Sequence, residues 1–190
     1  MSNANARSQS GEPIQPSPSQ RLAALGIELP APSNPAGLYR PFVQAGDLLF
    51  LSGVGPKRAD GSFVAGKVGS TVTAADARHA ARLTGIQLLA AINDALGSLD
   101  RVARVVKILG MVNCAPGFNA TPGVIDGCSE LFVEVFGDDR GRAARSAVGM
   151  AELPFDICVE IEAIVEVLPI RLAGRIRAAS GRVTKSARRS

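Results

Sequence analysis

The chain runs to 190 residues, 46% of them hydrophobic, with 21 Lys/Arg, 17 Asp/Glu and one histidine, enough apolar material for one core of ordinary size and a single domain. No apolar run approaches the roughly 20 residues a membrane-spanning helix needs, and the opening MSNANARSQSGEPIQPSPSQ lacks the apolar segment of a signal peptide, so a cytoplasmic protein with no membrane partner is expected. Three cysteines, Cys114, Cys128 and Cys158, fit neither a disulfide framework nor a paired CxxC metal site and read as reduced structural thiols.

Residues 1–20, rich in Ser, Pro and Gln, read as a disordered arm, with the folded domain expected over 21–169. Residues 38–44 and the run Leu48-Leu49-Phe50-Leu51-Ser52 are expected to pair as a hairpin across Ala45-Gly46-Asp47. Thr73 and Asp76 then have capping-box spacing, Leu83, Ile86, Leu89 and Leu96 recur at helical intervals, and Gly97 is a stop; one long helix is predicted over 73–96. The β-branched stretch 102–112 predicts a strand, and 123–136 a second helix closed by Gly137. Residues 145–151 and 156–167 predict two more strands, joined at Glu152-Leu153-Pro154-Phe155. The order is β-β-α-β-α-β-β. It implies an α+β fold with both helices on one face of a mixed sheet, because each helix has one apolar stripe to bury. Beyond Ile170 lie seven of the 21 Lys/Arg and no acid, leaving 14 Lys/Arg against 17 Asp/Glu and a net charge of −3 for residues 1–170. The tail 170–190 reads as disordered; a tail of this kind can hold RNA, DNA or another anionic surface through counterion release, although most are merely solvated.

In the last strand Val159, Ile161, Ala163 and Val165 share a face suited to the helices, and Cys158, Glu160, Glu162 and Ile164 share the other. In the strand before it, Val148 and Met150 are expected on one face and Arg145, Ala147, Gly149 and Ala151 on the opposite, helix-distal one. Small residues at 147 and 149 leave room there for another chain. Arg145 and Glu160 would then gather on one face at a subunit boundary, where a cleft can form. The plainer alternative is a cross-strand ion pair of Arg145 with Glu160 or Glu162. Gly53-Val54-Gly55-Pro56 lacks the Gly-Lys-Ser/Thr and the following helix of a phosphate loop. No metal-ligand cluster is legible either, so any chemistry is expected to need no cofactor.

The run ARSAVGMAELPFDICVEIEAIVEV over residues 144–167 resembles the RidA (YjgF) family pattern of an Ala-Arg-Ser strand, a Leu-Pro turn and a Val-Glu-Ile-Glu-Ala strand. Pro41-Phe42-Val43-Gln44, Leu51-Ser52-Gly53, Val105-Val106-Lys107 and Leu131-Phe132 are similar to further family segments in the same order. The resemblance implies a chorismate-mutase-like fold assembled as a homotrimer with clefts between subunits. In its deaminating members an arginine at the place of Arg145 grips the carboxylate of a 2-imino acid, and a glutamate at the place of Glu160 positions a water. An arginine fork meets a carboxylate in two parallel hydrogen bonds, which lysine does not reproduce. A positioned acid/base group adds roughly 10²–10⁴ in rate. The cleft implied by the resemblance also takes in Phe42, Ser52, Ala147 and Asp126. This chain departs from the deaminating members in having Phe42 where they carry tyrosine, Val54 for glutamine and Asp126 for asparagine; an aspartate there would repel a carboxylate ligand.

The activity these residues imply is hydrolytic deamination of reactive 2-imino or enamine acids to 2-oxo acids and ammonia. Two alternatives stand beside it. One is a non-catalytic protein of the same fold that binds a small carboxylate, with the departures accounting for lost turnover. The other is the endoribonuclease-like activity attached to some family names, with the basic tail holding RNA.

Overall fold

Ser17 opens the first element: its hydroxyl accepts from the Gln20 amide while Gln20 Oε1 accepts from the Ser17 amide at 2.9 Å, a reciprocal cap in front of helix α1, Pro18–Ala24. The computed structural model describes residues 15–32, 35 and 37–169; the first fourteen residues and the basic tail from 170 lie outside the described residues. The arm expected over residues 1–20 therefore overlaps folded structure. Ser19 N donates to Asp100 Oδ1 at 2.8 Å and Leu22 enters the core. A Ser/Pro/Gln segment reads as disorder by composition, yet the same residue types make a capping box with proline at the first helical turn.

Strands β1, Phe42–Ala45, and β2, Leu48–Val54, form the expected hairpin, turning at Gly46 with φ 61°. Helix α2, Ala74–Leu96, starts on Thr73, whose Oγ1 accepts from Asp76 N at 3.1 Å, and ends at Gly97 with φ 75°. Strand β3, Val102–Asn113, leads to helix α3, Thr121–Phe136, the short helix α4, Asp138–Gly141, strand β4, Ala144–Met150, and strand β5, Val159–Val167. The sheet order is β1-β2-β5-β3-β4, antiparallel except for the parallel β3–β4 pair that the α3–α4 crossover requires. This is the mixed-sheet α+β arrangement expected from the element order, with β1 and β4 at its edges.

The core lies between α2, α3 and one sheet face, and includes Leu49, Leu51, Ile108, Val112, Ile161, Ala163 and Val165. Of the expected stripe, Leu89 and Leu96 are buried while Leu83 and Ile86 are only half-buried; the inner face also draws on Ala77, Ala80, Ala81, Thr84, Gly85, Leu88 and Ile92. The small residues let α3 approach closely. A methyl built on Gly127 of α3 would collide with the carbonyl oxygen of Arg78, and one on Gly85 would come within 2.9 Å of Leu131 Cδ2.

Register settles which residues share a face. Arg145 pairs with the buried Ile108, Ala147 with Gly110 and Gly149 with Val112, so these three β4 positions point toward the helices. Glu160 pairs with Met111 and Glu162 with Leu109, on the helix-distal face. The expectation that Arg145, Ala147, Gly149 and Glu160 gather on one face is thus overturned: Ile108 and Met111 are an odd number of residues apart, and alternation sends them to opposite sides. Small residues are needed on this side by the chain's own packing, since a methyl on Gly110 would lie 2.5 Å from Ile125 Cδ1 of α3 and one on Gly149 3.1 Å from Cys114 Sγ, just past β3. Cys158 is likewise buried against the core and not on the open face.

The candidate functional site

Two clefts divide the residues singled out from the sequence. The first, of about 660 Å³, is lined by Asp126, Ser129, Glu130, Val133, Glu134, Arg142, Ala143 and Arg145. Helix α3 and the edge strand β4 form its walls. Arg145 Nη1 donates to Asp126 Oδ1 at 2.7 Å and to Ser129 Oγ at 2.9 Å. Asp126 also lies 3.7 Å from Arg78 Nη1, so its charge is shared between two guanidinium groups. Arg145 does not bridge to Glu160 or Glu162; its partner is the aspartate that the sequence suggested would repel a ligand. Both bonds leave from Nη1, and among the described residues nothing else engages the Nε/Nη2 edge, the edge a carboxylate meets in a bidentate contact. Arg78–Glu130 at 2.5 Å and Arg82–Glu134 at 2.6 Å continue the charged wall between α2 and α3.

The second cleft, about 160 Å³, contains Glu160 together with Tyr39, Gly53, Val54, Gly55, Lys57, Phe63, Gln87, Pro154, Phe155 and Ile157. Glu160 is half-buried, and that burial, reinforced by the neighbouring charge of Glu162, holds its carboxyl above the ordinary glutamate range. Glycine at 53 is what lets the carboxylate lie over β2, since a methyl there would collide with Glu160 Oε1. A proton-accepting group with a raised pKa in a cleft is suited to general acid/base work.

The remaining candidates frame these clefts without reaching a common point. Ser52 Oγ donates to the Arg40 carbonyl at 2.7 Å and its amide to Pro41 O at 2.9 Å, which ties the start of the hairpin. Phe42 packs against the core and lines a small cleft of about 30 Å³ that shares Val54 and Gln87 with the Glu160 cleft. Ala147 packs inward while its carbonyl accepts from Thr121 Oγ1 at 3.0 Å. Ser146 Oγ accepts from Lys107 Nζ at 2.8 Å on the open face. Sequence reasoning missed Ser129, Arg142, Phe63, Phe155 and Gly53. Ser129, one helical turn from Asp126, carried the only usable signal, its i, i+3 spacing. Burial pushes the Cys128 thiol up to about 12 and that of Cys158 to about 11, so neither is a nucleophile at neutral pH.

The helix-distal face of the sheet carries large apolar side chains among charged and polar ones such as Lys107, Ser146, Glu160 and Glu162. Val43, Phe50, Val148 and Met150 are exposed on it, beside Glu162, with Leu109, Met111 and Ile164 half-buried. No helix among the described residues is long and apolar enough to cross a membrane.

A family described as "YjgF/chorismate_mutase-like, putative endoribonuclease" matches residues 19–165. The chain is 43% identical over 145 residues to Protein TCP17 of Trypanosoma cruzi, covering 76% of this chain and 91% of that protein. It is 31% identical over 140 residues to a 2-iminobutanoate/2-iminopropanoate deaminase of Dermatophagoides farinae, covering 73% and 93%. A crystal structure from Shewanella oneidensis, named in the same terms as the family, superposes with a TM-score of 0.77 at 28% identity, covering 80% of this chain and all of that one. With the mixed sheet, the paired helices and the Arg-Ser and Glu-Ile-Glu-Ala strands all in place, this chain belongs to the YjgF/chorismate mutase-like family.

Proposed function

We propose that the protein is a hydrolase that deaminates small 2-imino acids, at a cleft completed by two copies of the chain. The observation that carries this reading is the division of labour across the sheet: Arg145 and Glu160 leave opposite faces of the sheet and line separate clefts of one protomer. A single small molecule cannot touch both in one copy. A second copy seated on the face that bears Val43, Phe50, Val148 and Met150 would remove those side chains from water and bring the β4 edge of one protomer toward the Glu160 side of the next. A homotrimer is the closed assembly the family resemblance implies, and a cytoplasmic setting suits reactive metabolic by-products.

In this reading the Arg145 fork receives the substrate carboxylate, oriented by Ser129 and Asp126. Glu160 accepts a proton from the water that adds to the C=N carbon and returns it to nitrogen, giving a carbinolamine; the C–N bond then breaks as the carbinol proton passes to nitrogen, giving a 2-oxo acid and ammonia with no change of oxidation state. The deaminase named among the relatives supports the reaction class. The test is to generate iminopropanoate or iminobutanoate with an amino acid oxidase and follow its decay. Acceleration over buffer is expected, with Arg145→Ala inactive; no acceleration by the wild-type protein sinks the proposal.

One observation favours a second reading, binding without turnover: Arg145 is already paired with Asp126, where the deaminating members carry an uncharged asparagine. Thermal stabilisation by 2-oxo acids in the absence of any imine turnover would select it.

A further inference from the structure

Phe155 keeps 73% of its surface exposed although it is large and apolar, and its φ is 57°, followed by 53° at Asp156. A bulky residue in the left-handed region is a genuine outlier, which persists only where its surroundings over-determine it. Here they do. The fully buried Asn113 donates Nδ2 to Asp156 Oδ1 at 2.9 Å and accepts from Lys67 Nζ at 3.0 Å. Lys67 Nζ also donates to the Ala151 carbonyl at 2.5 Å, and Gly66 N donates to Asp156 O at 2.7 Å.

The strained turn sets the Phe155 ring beside Phe63, itself 41% exposed, with the two planes 8° apart and centroids separated by 6.5 Å, within the range of interacting aromatic pairs. Both rings line the Glu160 cleft. Beneath them a methyl on Gly55 would come within 2.9 Å of Ile157 Cδ1 and 3.4 Å of Phe63, so glycine lets the apolar floor close up. The cleft's volume of about 160 Å³ is about five times the roughly 30 Å³ share of one water molecule in the liquid. A methyl-sized group would leave most of it unfilled.

We infer that the Phe63–Phe155 cleft receives the side chain of the substrate, and that the preferred substrates are 2-imino acids with aromatic or long aliphatic side chains, such as those derived from phenylalanine or leucine. This rests on the deaminase reading above. The strain at Phe155 and Asp156 holds an apolar wall beside the group that activates water. The side chain is thereby gripped while the C=N carbon stays next to Glu160.

The full-length chain is assayed with imines generated by an amino acid oxidase from phenylalanine and from alanine. The expected wild-type kcat/KM is about tenfold or more higher for the phenylalanine-derived imine, the scale of discrimination a hydrophobic pocket supplies. Phe155→Gly, which suits a positive φ and so does not threaten folding, and Phe63→Ala should each remove most of that preference, lowering kcat/KM several-fold more for the phenylalanine-derived imine than for the alanine-derived one. Equal efficiency on the two imines, or equal losses on both in the variants, overturns the pocket assignment and leaves the deaminase reading standing. If no imine is turned over, the deaminase reading fails and the pocket is judged by binding. Phenylpyruvate, but not pyruvate, raising the Tm of the wild type and not of Phe155→Gly supports it; equal shifts, or none, overturn it.

Discussion

Glu160 answers to two conflicting demands. Burial and Glu162 hold its carboxyl above the ordinary range, so the folded state prefers the protonated form. Its favourable contribution to stability is therefore complete below the unfolded glutamate pKa of about 4.3 and is lost as pH rises through the folded value. Glu160→Gln should relieve that loss. The Tm of the variant relative to wild type is expected to increase between about pH 4 and neutrality, while kcat falls by roughly 10²–10⁴. The ionised form is the one that accepts the proton, so the acid limb of the wild-type pH–rate profile should sit above the ordinary carboxylate value; a limb at that value, with no stability gain in the variant, contradicts the assignment. Asp126 carries a different lesson. As a residue type it signalled repulsion of a carboxylate, and only the fold reveals that Arg145 and Arg78 already share its charge.

At the scale of elements, caps and stops were legible because they are local: Thr73 and Gly97 bound α2, and Gly137 ends α3 where chain-local chemistry requires it. Sidedness was not. Strand β4 alternates plainly, but alternation names two faces without saying which meets the helices, and Val148 and Met150 look like core residues while being 40% and 36% exposed. Helix α2 posed the same problem, since the N-terminal half of its buried stripe is alanine, glycine and threonine, with α3 crossing so near. That proximity can be tested at Gly127. Helix propensity alone would make Gly127→Ala stabilising by about 0.8–1.0 kcal/mol. The new methyl would meet the Arg78 carbonyl, part of a backbone that cannot rotate away, so a net loss of roughly 1–3 kcal/mol or more is expected. Urea unfolding with an unchanged m-value measures it.

For the whole molecule, the proposed assembly makes a prediction that a self-contained protomer would not. Arg145→Ala and Glu160→Gln proteins, each inactive alone, should recover part of the wild-type turnover when co-expressed or mixed and reassembled, because some boundaries then pair an intact Arg145 with an intact Glu160. Recovery no greater than the sum of the separate proteins argues that each protomer carries its own complete site. The sequence by itself determined the order of the five strands and two long helices, the ends of those helices, the apolar run of β5 and the family, since all of these depend on neighbours along the chain and on spacing within one segment. Only the tertiary structure decided which face of β4 carries Arg145, that Asp126 is its partner, that Glu160 lies over Gly53, and that Phe155 stands exposed beside Phe63. Each of these depends on register or on contacts between distant segments, where a shift of one residue reverses a whole strand, and local sequence does not encode that choice.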